Sequence, residues 1–244
     1  MSNSAAIEFR EINFAYNGHQ VLTNVTLDVQ EGEYVGVIGP NGGGKTTFLK
    51  LILGLLKPMK GSLTVFSEPA HEARKFGRVG YVPQRATQFE NRFPATVLEV
   101  VTSGLSGVPA SKQQHNAVQQ AMEATDIVGI QSKLIHELSG GQRQRVFIAR
   151  CLTAQPKMLL LDEPVTGVDA LSRDRFYALL KTLNTKYGIT ILFVTHDVDA
   201  IAKEVGKVLC LNQKVCCHAS PQDFLQKHVL EDLYANQSHN HAHV

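Results

Sequence analysis

A glycine-rich segment, "GPNGGGKTT" at residues 39–47, restricts the possible folds of this chain more than any other feature. It fits the pattern G-x-x-x-x-G-K-[ST] through Gly39, Gly44, Lys45 and Thr46. Glycines are needed there because backbone N–H groups must converge on phosphate oxygens, and a Cβ atom would block that approach. Lys45 adds a point charge for the phosphates, and Thr46 adds a hydroxyl for Mg²⁺. The segment therefore predicts a phosphate loop at the start of a helix, whose N-terminus attracts anions.

Apolar segments flank this loop and recur through the second half of the chain. "GEYVGVIG" predicts a buried strand before the loop, and "KTTFLKLILGLL" predicts a helix after it that ends near Pro58. Short apolar runs such as "MLLLD" and "ITILFV" alternate with helical patterns, which favours a parallel α/β sheet. "IEFREINFAY" and "LTNVTLDVQ" predict antiparallel strands, and residues from about 85 to 150 have helical patterns. The predicted fold class is α/β with a helical insert.

The composition of the 244 residues limits the possible classes of protein. Lys plus Arg number 24 against 22 Asp plus Glu, a formal net charge of +2, so charge does not support nucleic-acid binding. The apolar runs are shorter than the ~18 residues of a membrane-spanning helix, and we expect no secretory signal in "MSNSAAIEFREINF". Cysteines 151, 210, 216 and 217 lack paired metal-ligand spacing, which favours reduced thiols in a cytosolic protein.

Two acidic residues follow the apolar run "MLLLDEP". Asp162 ends the predicted strand, so we expect it at the carboxyl edge of the sheet, where ligands bind in open α/β folds. A carboxylate at that position can hold Mg²⁺, as the Walker-B Asp of P-loop enzymes does. Glu163 comes next and could polarise an attacking water. Two acids at a strand end can also be a solvated turn, but the phosphate loop upstream favours the catalytic interpretation.

A second candidate anion site lies in "ELSGGQRQR". Ser139 and the two following glycines precede a helix that contains Val146, Phe147 and Ile148, so their amides can form a cradle at a helix N-terminus. Taken alone, the segment could be an ordinary serine N-cap. Between a phosphate loop and an apolar strand that ends in two acids, it indicates a second phosphate-binding device. We call residues 138–142 the signature segment.

With these motifs in this order, the chain resembles the nucleotide-binding subunits of ABC transporters from Ile7 to about Pro221. The resemblance implies a P-loop NTPase core of RecA-like fold, an antiparallel β subdomain and a helical subdomain at about 85–150 that carries the signature segment. The implied ATPase domain covers residues 5–221, and residues 222–244 form a C-terminal extension. The departures are small: glycine in the middle of "GGGKTT", Thr46 where serine is common, and Val168 where leucine is commoner.

The resemblance also implies the cofactors ATP and Mg²⁺ and a role for each matching residue. Tyr16 would stack on adenine, Glu163 would be the general base, and His196 would contact the γ-phosphate. Asp169 would belong to the loop that communicates across a dimer. The implied catalytic residues are Lys45, Gln84, Glu163 and His196. The implied Mg²⁺ ligands are Thr46, Gln84 and Asp162. The implied ATP-binding residues are Tyr16, Gly39, Pro40, Asn41, Gly42, Gly43, Gly44, Lys45, Thr46, Thr47, Ser139, Gly140, Gly141, Gln142 and Asp169.

Family membership would further imply a head-to-tail dimer with a second copy of the chain. Each ATP would lie between the phosphate loop of one copy and the signature segment of the other. The partners would be integral membrane permease subunits, with an extracytoplasmic metal-binding protein acting indirectly and no nucleic acid. The chain would then be peripheral on the cytoplasmic face of the membrane.

Only two short segments indicate which substrate, or cargo, is transported. In "FENRFPATVLEVVTSG", Phe93, Pro94 and Thr96 with Val97, Val100 and Gly104 resemble importers of zinc, manganese or iron(II), and so does "VLCLNQKVCCHASPQD". Divalent metal import, with zinc favoured, is the first hypothesis. Import of manganese, iron or an iron chelate, or export of another compound, is the second. A soluble ABC protein acting on nucleic acid or ribosomes is the third, which the single domain and the absence of a basic stripe disfavour.

The C-terminal segment "NQSHNHAHV" has histidines at alternate positions, 239, 241 and 243. Imidazole suits zinc, nickel and copper, and three protein ligands are a normal number for zinc. We therefore treat His239, His241 and His243 as candidate transition-metal ligands that favour zinc as cargo. Chance histidines in a solvated tail are the equally weighted alternative.

Overall fold

The computed structural model describes residues 4–84, 94–105, 112–165 and 169–226. The sequence predictions for Phe93, Val168, His239, His241 and His243 lie outside these ranges. The chain divides into two compact units, the first formed by Met1–Arg74 and Leu192–Val244 and the second by Lys75–Ile191.

The described strands are β1 (Ala5–Tyr16), β2 (His19–Gln30), β3 (Tyr34–Ile38), β4 (Lys60–Val65), β5 (Glu68–Pro69), β6 (Val79–Val82), β7 (Met158–Asp162), β8 (Thr190–Val194), β9 (Lys207–Asn212) and β10 (Lys214–Ala219). The described α-helices are α1 (Lys45–Ile52), α2 (Ala70–Lys75), α3 (Val97–Thr102), α4 (Lys112–Ala124), α5 (Gly140–Leu152), α6 (Ala170–Tyr187), α7 (Val198–Glu204) and α8 (Pro221–Gln226). Short 3₁₀ helices cover Ser103–Leu105, Val128–Ile130 and Ile135–Glu137.

The first unit contains an antiparallel sheet in the order β2-β1-β4-β5. Ile7, Phe9 and Ile12 of β1 are all fully buried. The first two follow the alternation predicted from "IEFREINFAY", and the step of three to Ile12 occurs at a register shift where Glu11 has a φ of +52°. Phe9 stacks on Phe48 of α1 with ring centroids 4.8 Å apart, so the sheet packs directly on the helix that follows the phosphate loop.

The same unit holds the strand that leads into the phosphate loop. β3 is buried at every position and pairs in parallel with β9, with Val35 opposite Lys207 and Ile38 opposite Cys210. Continuous burial of this kind is the pattern of parallel strands that are covered on both faces. β10 returns antiparallel to β9, so the β9–β10 hairpin lies beside the carboxyl end of β3.

Helix α1 is shorter than the sequence predicts. It ends at Ile52, and the chain turns at Gly54, which adopts a left-handed φ of +64°. A Cβ atom on Gly54 would lie 2.4 Å from the backbone nitrogen of His71. The apolar pattern continues to Leu56, but Leu55 is 49% exposed, and the helix ends at this close approach, before Pro58.

The second unit combines a strand pair with helices. β6 runs parallel to β7, with Val79 opposite Met158 and Val82 opposite Leu161. In the described residues from 94 to 152, the backbone forms α3, α4, α5 and 3₁₀ turns. An isolated antiparallel β-bridge joins Thr96 to Leu134 in this segment. The apolar face of α5 is buried. None of the described helices combines the length and apolar composition that crossing a membrane requires.

Gly39→Ala tests how closely the backbones approach at the end of β3. A Cβ atom on Gly39 would lie 1.9 Å from the carbonyl oxygen of Leu211 on β9, so one backbone has to move. We expect a loss of about 3 kcal/mol or more in the free energy of unfolding, measured by urea titration with circular dichroism. Gly32→Ala is the matched control, because Gly32 has φ +78° with nothing within 4 Å of an added Cβ. It should lose only about 1 kcal/mol, the cost of the left-handed backbone. Equal losses would contradict the close approach.

Candidate functional site

The phosphate loop connects β3 to α1 in the first unit. Gly39, Gly42 and Gly44 have positive φ angles, and the Nζ atom of Lys45 donates hydrogen bonds to the carbonyl oxygens of Gly39 at 2.8 Å and Pro40 at 2.9 Å. The Lys45 side chain is only 8% exposed. The loop therefore wraps around the ammonium group and keeps a positive charge at its centre.

The N-terminus of α1 suits an anionic ligand. Its N-cap, Gly44, contributes no side-chain hydrogen bond, and its first turn has no acidic residue. The first-turn amides therefore keep their capacity to donate to phosphate oxygens, and the helix dipole favours negative charge there. Thr47 is buried whereas Thr46 is exposed, so the Thr46 hydroxyl is available to an oxygen-liganded cation such as Mg²⁺.

The turn between β9 and β10 supports the phosphate loop. The backbone N–H of Gln213 donates to the carbonyl oxygen of Gly43 at 2.9 Å, and the N–H of Thr23 donates to the carbonyl oxygen of Gln213 at 2.7 Å. This link fixes the peptide group between Gly43 and Gly44 within the loop. Gln213 could not be predicted from the sequence, because it acts through its backbone and its side chain gives no signal.

Tyr16 and His196 are the other predicted site residues of the first unit. Tyr16 ends β1 and is 42% exposed, with an edge contact to Phe14 at 4.9 Å between ring centroids. An exposed ring at a strand end is available for stacking, which distinguishes Tyr16 from a core aromatic. His196 follows β8 and is exposed, in a turn where Asp197 N–H donates to the Thr195 hydroxyl at 3.0 Å.

In the second unit, Asp162 ends β7 and is 6% exposed. Tyr81, on the neighbouring β6, hydrogen-bonds to its carboxylate. Burial, followed by the Asp162 charge and this hydrogen bond, raises the pKa of Tyr81 to about 12. Tyr81 therefore remains a neutral donor that orients Asp162. Tyr81 has no recognisable signal in the sequence, because only the register of β6 against β7 brings it next to Asp162.

Glu163 has a left-handed backbone, with φ +47°, and is half-buried. Its Oε2 atom accepts a hydrogen bond of 2.6 Å from Nε2 of Gln84, which lies 79 positions earlier in the chain. The structure thus brings together two residues that the sequence analysis had proposed separately as catalytic. Gln84 orients the carboxylate, which can still accept a proton.

The signature segment caps α5. Ser139 Oγ accepts from Gln142 N–H at 3.3 Å, and Gln142 Oε1 accepts from Ser139 N–H at 3.1 Å, so the two form a capping box. Gly140 begins the helix, and Gly141 lies against α6, where an added Cβ would be 3.2 Å from Ser172 Cβ. A cavity of about 390 Å³ opens beside this helix end, with Ser139, Gly141, Gln142, Arg145 and Arg175 among its lining residues. Asp126 also lines the cavity and accepts from Arg145 at 3.0 Å, so the two arginines leave an excess of positive charge that suits an anion.

Asp169 is the N-cap of α6. Its Oδ1 atom accepts from the N–H of Ser172 at 2.9 Å. A hydrogen bond from the Ser172 side chain, followed by this backbone hydrogen bond, lowers the pKa of Asp169 from its usual 3.8. The structure therefore assigns Asp169 a helix-capping role, in addition to the dimer role that the family resemblance implies.

The chain is similar to known proteins both in sequence and in fold. A family model described as "ABC transporter" matches residues 22–166. The zinc uptake system ATP-binding protein ZurA of Listeria innocua serovar 6a is 39% identical over 231 residues, 93% of this chain and 89% of that protein. The high-affinity zinc uptake system ATP-binding protein ZnuC of Bacillus subtilis is 37% identical over 212 residues, 85% of this chain and 91% of that protein. The solved structure of cbiO1 from Clostridium perfringens, part of the ABC transporter complex cbiONQ, has a TM-score of 0.84 at 27% identity and covers 95% of both chains.

Asp169→Ala tests the capping carboxylate through its pH dependence. Because the folded-state pKa of Asp169 is lowered, its contribution to stability is complete above about pH 5 and is lost as the pH falls below 3.8. At pH 7 we expect the alanine variant to unfold about 2 °C below wild type, and this gap should narrow toward the difference between Asp169→Asn and Asp169→Ala as the pH falls below 3.8. Asp169→Asn retains an uncharged acceptor, so its difference from the alanine variant should not change with pH. A wild-type-to-alanine gap that stays constant would exclude the carboxylate cap; scanning calorimetry measures all three.

Proposed function

We propose that this chain, which belongs to the ABC transporter family, hydrolyses ATP to energise uptake of a divalent metal ion through a separate permease, with zinc as the cargo. ATP binding and the ATPase activity that energises transport follow from the family itself. The hydrogen bond between Gln84 and Glu163 carries the mechanistic proposal, because it orients a carboxylate directly after the strand that ends in Asp162.

The first unit contributes the groups that bind the nucleotide. The amides of the phosphate loop and the Lys45 ammonium would hold the β- and γ-phosphates, and Tyr16 would stack on the adenine ring. The positive charge of Lys45 is buried inside the loop, so its attraction for phosphate is less screened than that of a surface lysine. His196 would donate a hydrogen bond to the γ-phosphate.

The second unit contributes the groups that act on water. Glu163 would accept a proton from the attacking water while Gln84 keeps the carboxylate in position. Thr46 in the first unit, and Asp162 and Gln84 in the second, each carry an oxygen of the kind that Mg²⁺ prefers as a ligand; Mg²⁺ when bound would neutralise phosphate charge. Tyr81 keeps Asp162 oriented for that role.

A second copy of the chain would complete each site. The capped helix end at Ser139, beside a cavity with two arginines, is suited to the γ-phosphate of an ATP held by the partner copy. Head-to-tail pairing would give two such sites per dimer. The chain would lie on the cytoplasmic face of the membrane, where its hydrolysis of ATP energises the permease subunits. An extracytoplasmic metal-binding protein would deliver the ion.

Zinc is proposed as cargo from the similarity to ZurA and ZnuC, both zinc uptake proteins by name, at 39% and 37% identity. An ATPase subunit does not itself have to bind the ion, because recognition belongs to the permease and the delivery protein. His239, His241 and His243 remain predicted transition-metal ligands that are compatible with this cargo.

Glu163→Gln tests the catalytic assignment. The amide cannot accept a proton but keeps the size of the side chain, so kcat for ATP hydrolysis should fall by about 100-fold or more while ATP binding is retained. Steady-state phosphate release and equilibrium binding of labelled ATP measure the two properties. Glu123→Gln is the control, because Glu123 is an exposed residue of α4 whose carboxylate accepts from Gln119. Unchanged turnover in Glu163→Gln would remove Glu163 from the mechanism.

Metal content of cells tests the cargo. We expect deletion of the gene under metal limitation to lower total cell zinc selectively, as measured by mass spectrometry, and wild-type chain but not Glu163→Gln to restore it. A fall in manganese or iron instead would overturn zinc while retaining metal uptake. No change in any of the three metals would contradict metal uptake.

A further inference from the structure

Gln144 is a buried polar residue of α5 that the proposed mechanism does not use. It lies two residues beyond the signature segment and is only 2% exposed. Glutamine is mostly an exposed residue, and a buried amide is costly unless it is hydrogen-bonded. The partner of this amide is therefore informative about its role.

The Nε2 atom of Gln144 donates to the carbonyl oxygen of Pro164. Proline has no N–H, so this carbonyl is its whole backbone hydrogen-bonding capacity, and Pro164 is buried. Because a carbonyl only accepts, the contact fixes which end of the Gln144 amide faces it. Oε1 of Gln144 has no hydrogen-bond donor within the described ranges.

Pro164 directly follows Glu163, whose φ of +47° is unusual for a residue other than glycine. Such a conformation persists only where the surrounding structure holds it. Two glutamines hold this turn: Gln84 binds the Glu163 carboxylate, and Gln144 binds the backbone one residue further on. The position of the carboxylate is thus tied to α5 as well as to its own strand.

We infer that Gln144 is a positioning residue for Glu163, which links the helix of the signature segment to the turn that carries the general base. This inference rests on the proposed role of Glu163. Movement of α5 would be transmitted to the carboxylate through the Gln144–Pro164 hydrogen bond. Since small misplacements of a catalytic group cost about 100-fold in rate, one such bond is enough to affect turnover.

Gln144→Met removes the donor and keeps the shape. We expect kcat of the full-length chain to fall by about 10- to 100-fold while KM for ATP stays within about two-fold, because the phosphate-binding residues are elsewhere. Stability should change little, since the substitution orphans the Pro164 carbonyl but also removes the unpartnered Oε1. Thr153→Val is the matched control: it removes a half-buried hydrogen bond of 2.8 Å from the Thr153 hydroxyl to Arg150 O, at the other end of α5. It should lower the melting temperature and leave kcat unchanged.

The pH dependence of kcat in Gln144→Glu distinguishes a positioning role for Gln144 from a purely structural one. An ionised carboxylate cannot donate to the Pro164 carbonyl, whereas a protonated one can. Burial raises the pKa of a carboxyl group, so protonation falls in an accessible range. The ratio of variant to wild-type kcat should therefore rise at least several-fold as the pH is lowered from about 8 to about 6. Dividing by the wild-type value at each pH removes the pH dependence that the two proteins share.

The variants together separate failure of this inference from failure of the proposed function. If Glu163→Gln stops hydrolysis but Gln144→Met keeps the wild-type kcat, the positioning role is wrong. A flat kcat ratio for Gln144→Glu across the pH range would also overturn it. If Glu163→Gln hydrolyses ATP normally, the proposed base is wrong whatever the Gln144 variants do. Should Gln144→Met not fold, the pH dependence of Gln144→Glu alone decides.

Discussion

The rest of the first unit depends on the close approach of the phosphate loop to the backbone of β9. Gly39 lies so near the Leu211 carbonyl that a side chain would overlap it, and the Gln213 N–H then holds the Gly43 carbonyl. Parallel pairing of β3 with β9 sets this approach. The amides before α1 are thus oriented by buried backbone contacts and not by the ligand, so a phosphate can bind without ordering the loop first.

The second unit holds two acidic side chains in place at the end of a buried strand, β7. A carboxylate there loses solvation unless donors replace water. Tyr81 supplies a neutral hydroxyl to Asp162, and Gln84 supplies an amide to Glu163. These uncharged donors orient the two acids. Neither donor brings a positive charge that would compete with Mg²⁺ for Asp162 or with a proton for Glu163.

Much of this arrangement could be predicted from local pattern. The buried strand β3, the alternating β1 and β2, and the helical character of the chain around α5 all follow from apolar periodicity. The end of α1 could not be predicted, because Gly54 breaks the helix where its backbone meets that of His71, a contact between segments distant in sequence. Gln213 acts through its backbone, so its side chain gave no indication.

By itself the sequence determined the phosphate loop, the acidic strand end, the signature segment and the family, because each chemistry is carried by residues within one short segment. Only the tertiary structure decided which distant side chains meet: Gln84 with Glu163 across 79 positions, Tyr81 with Asp162, and Gln144 with the Pro164 carbonyl across 20 positions. Such contacts depend on strand register and helix packing, which balance many weak interactions over the whole unit. A linear pattern records residue types at fixed spacing, and it carries no information about which of two suitable partners a buried group will reach.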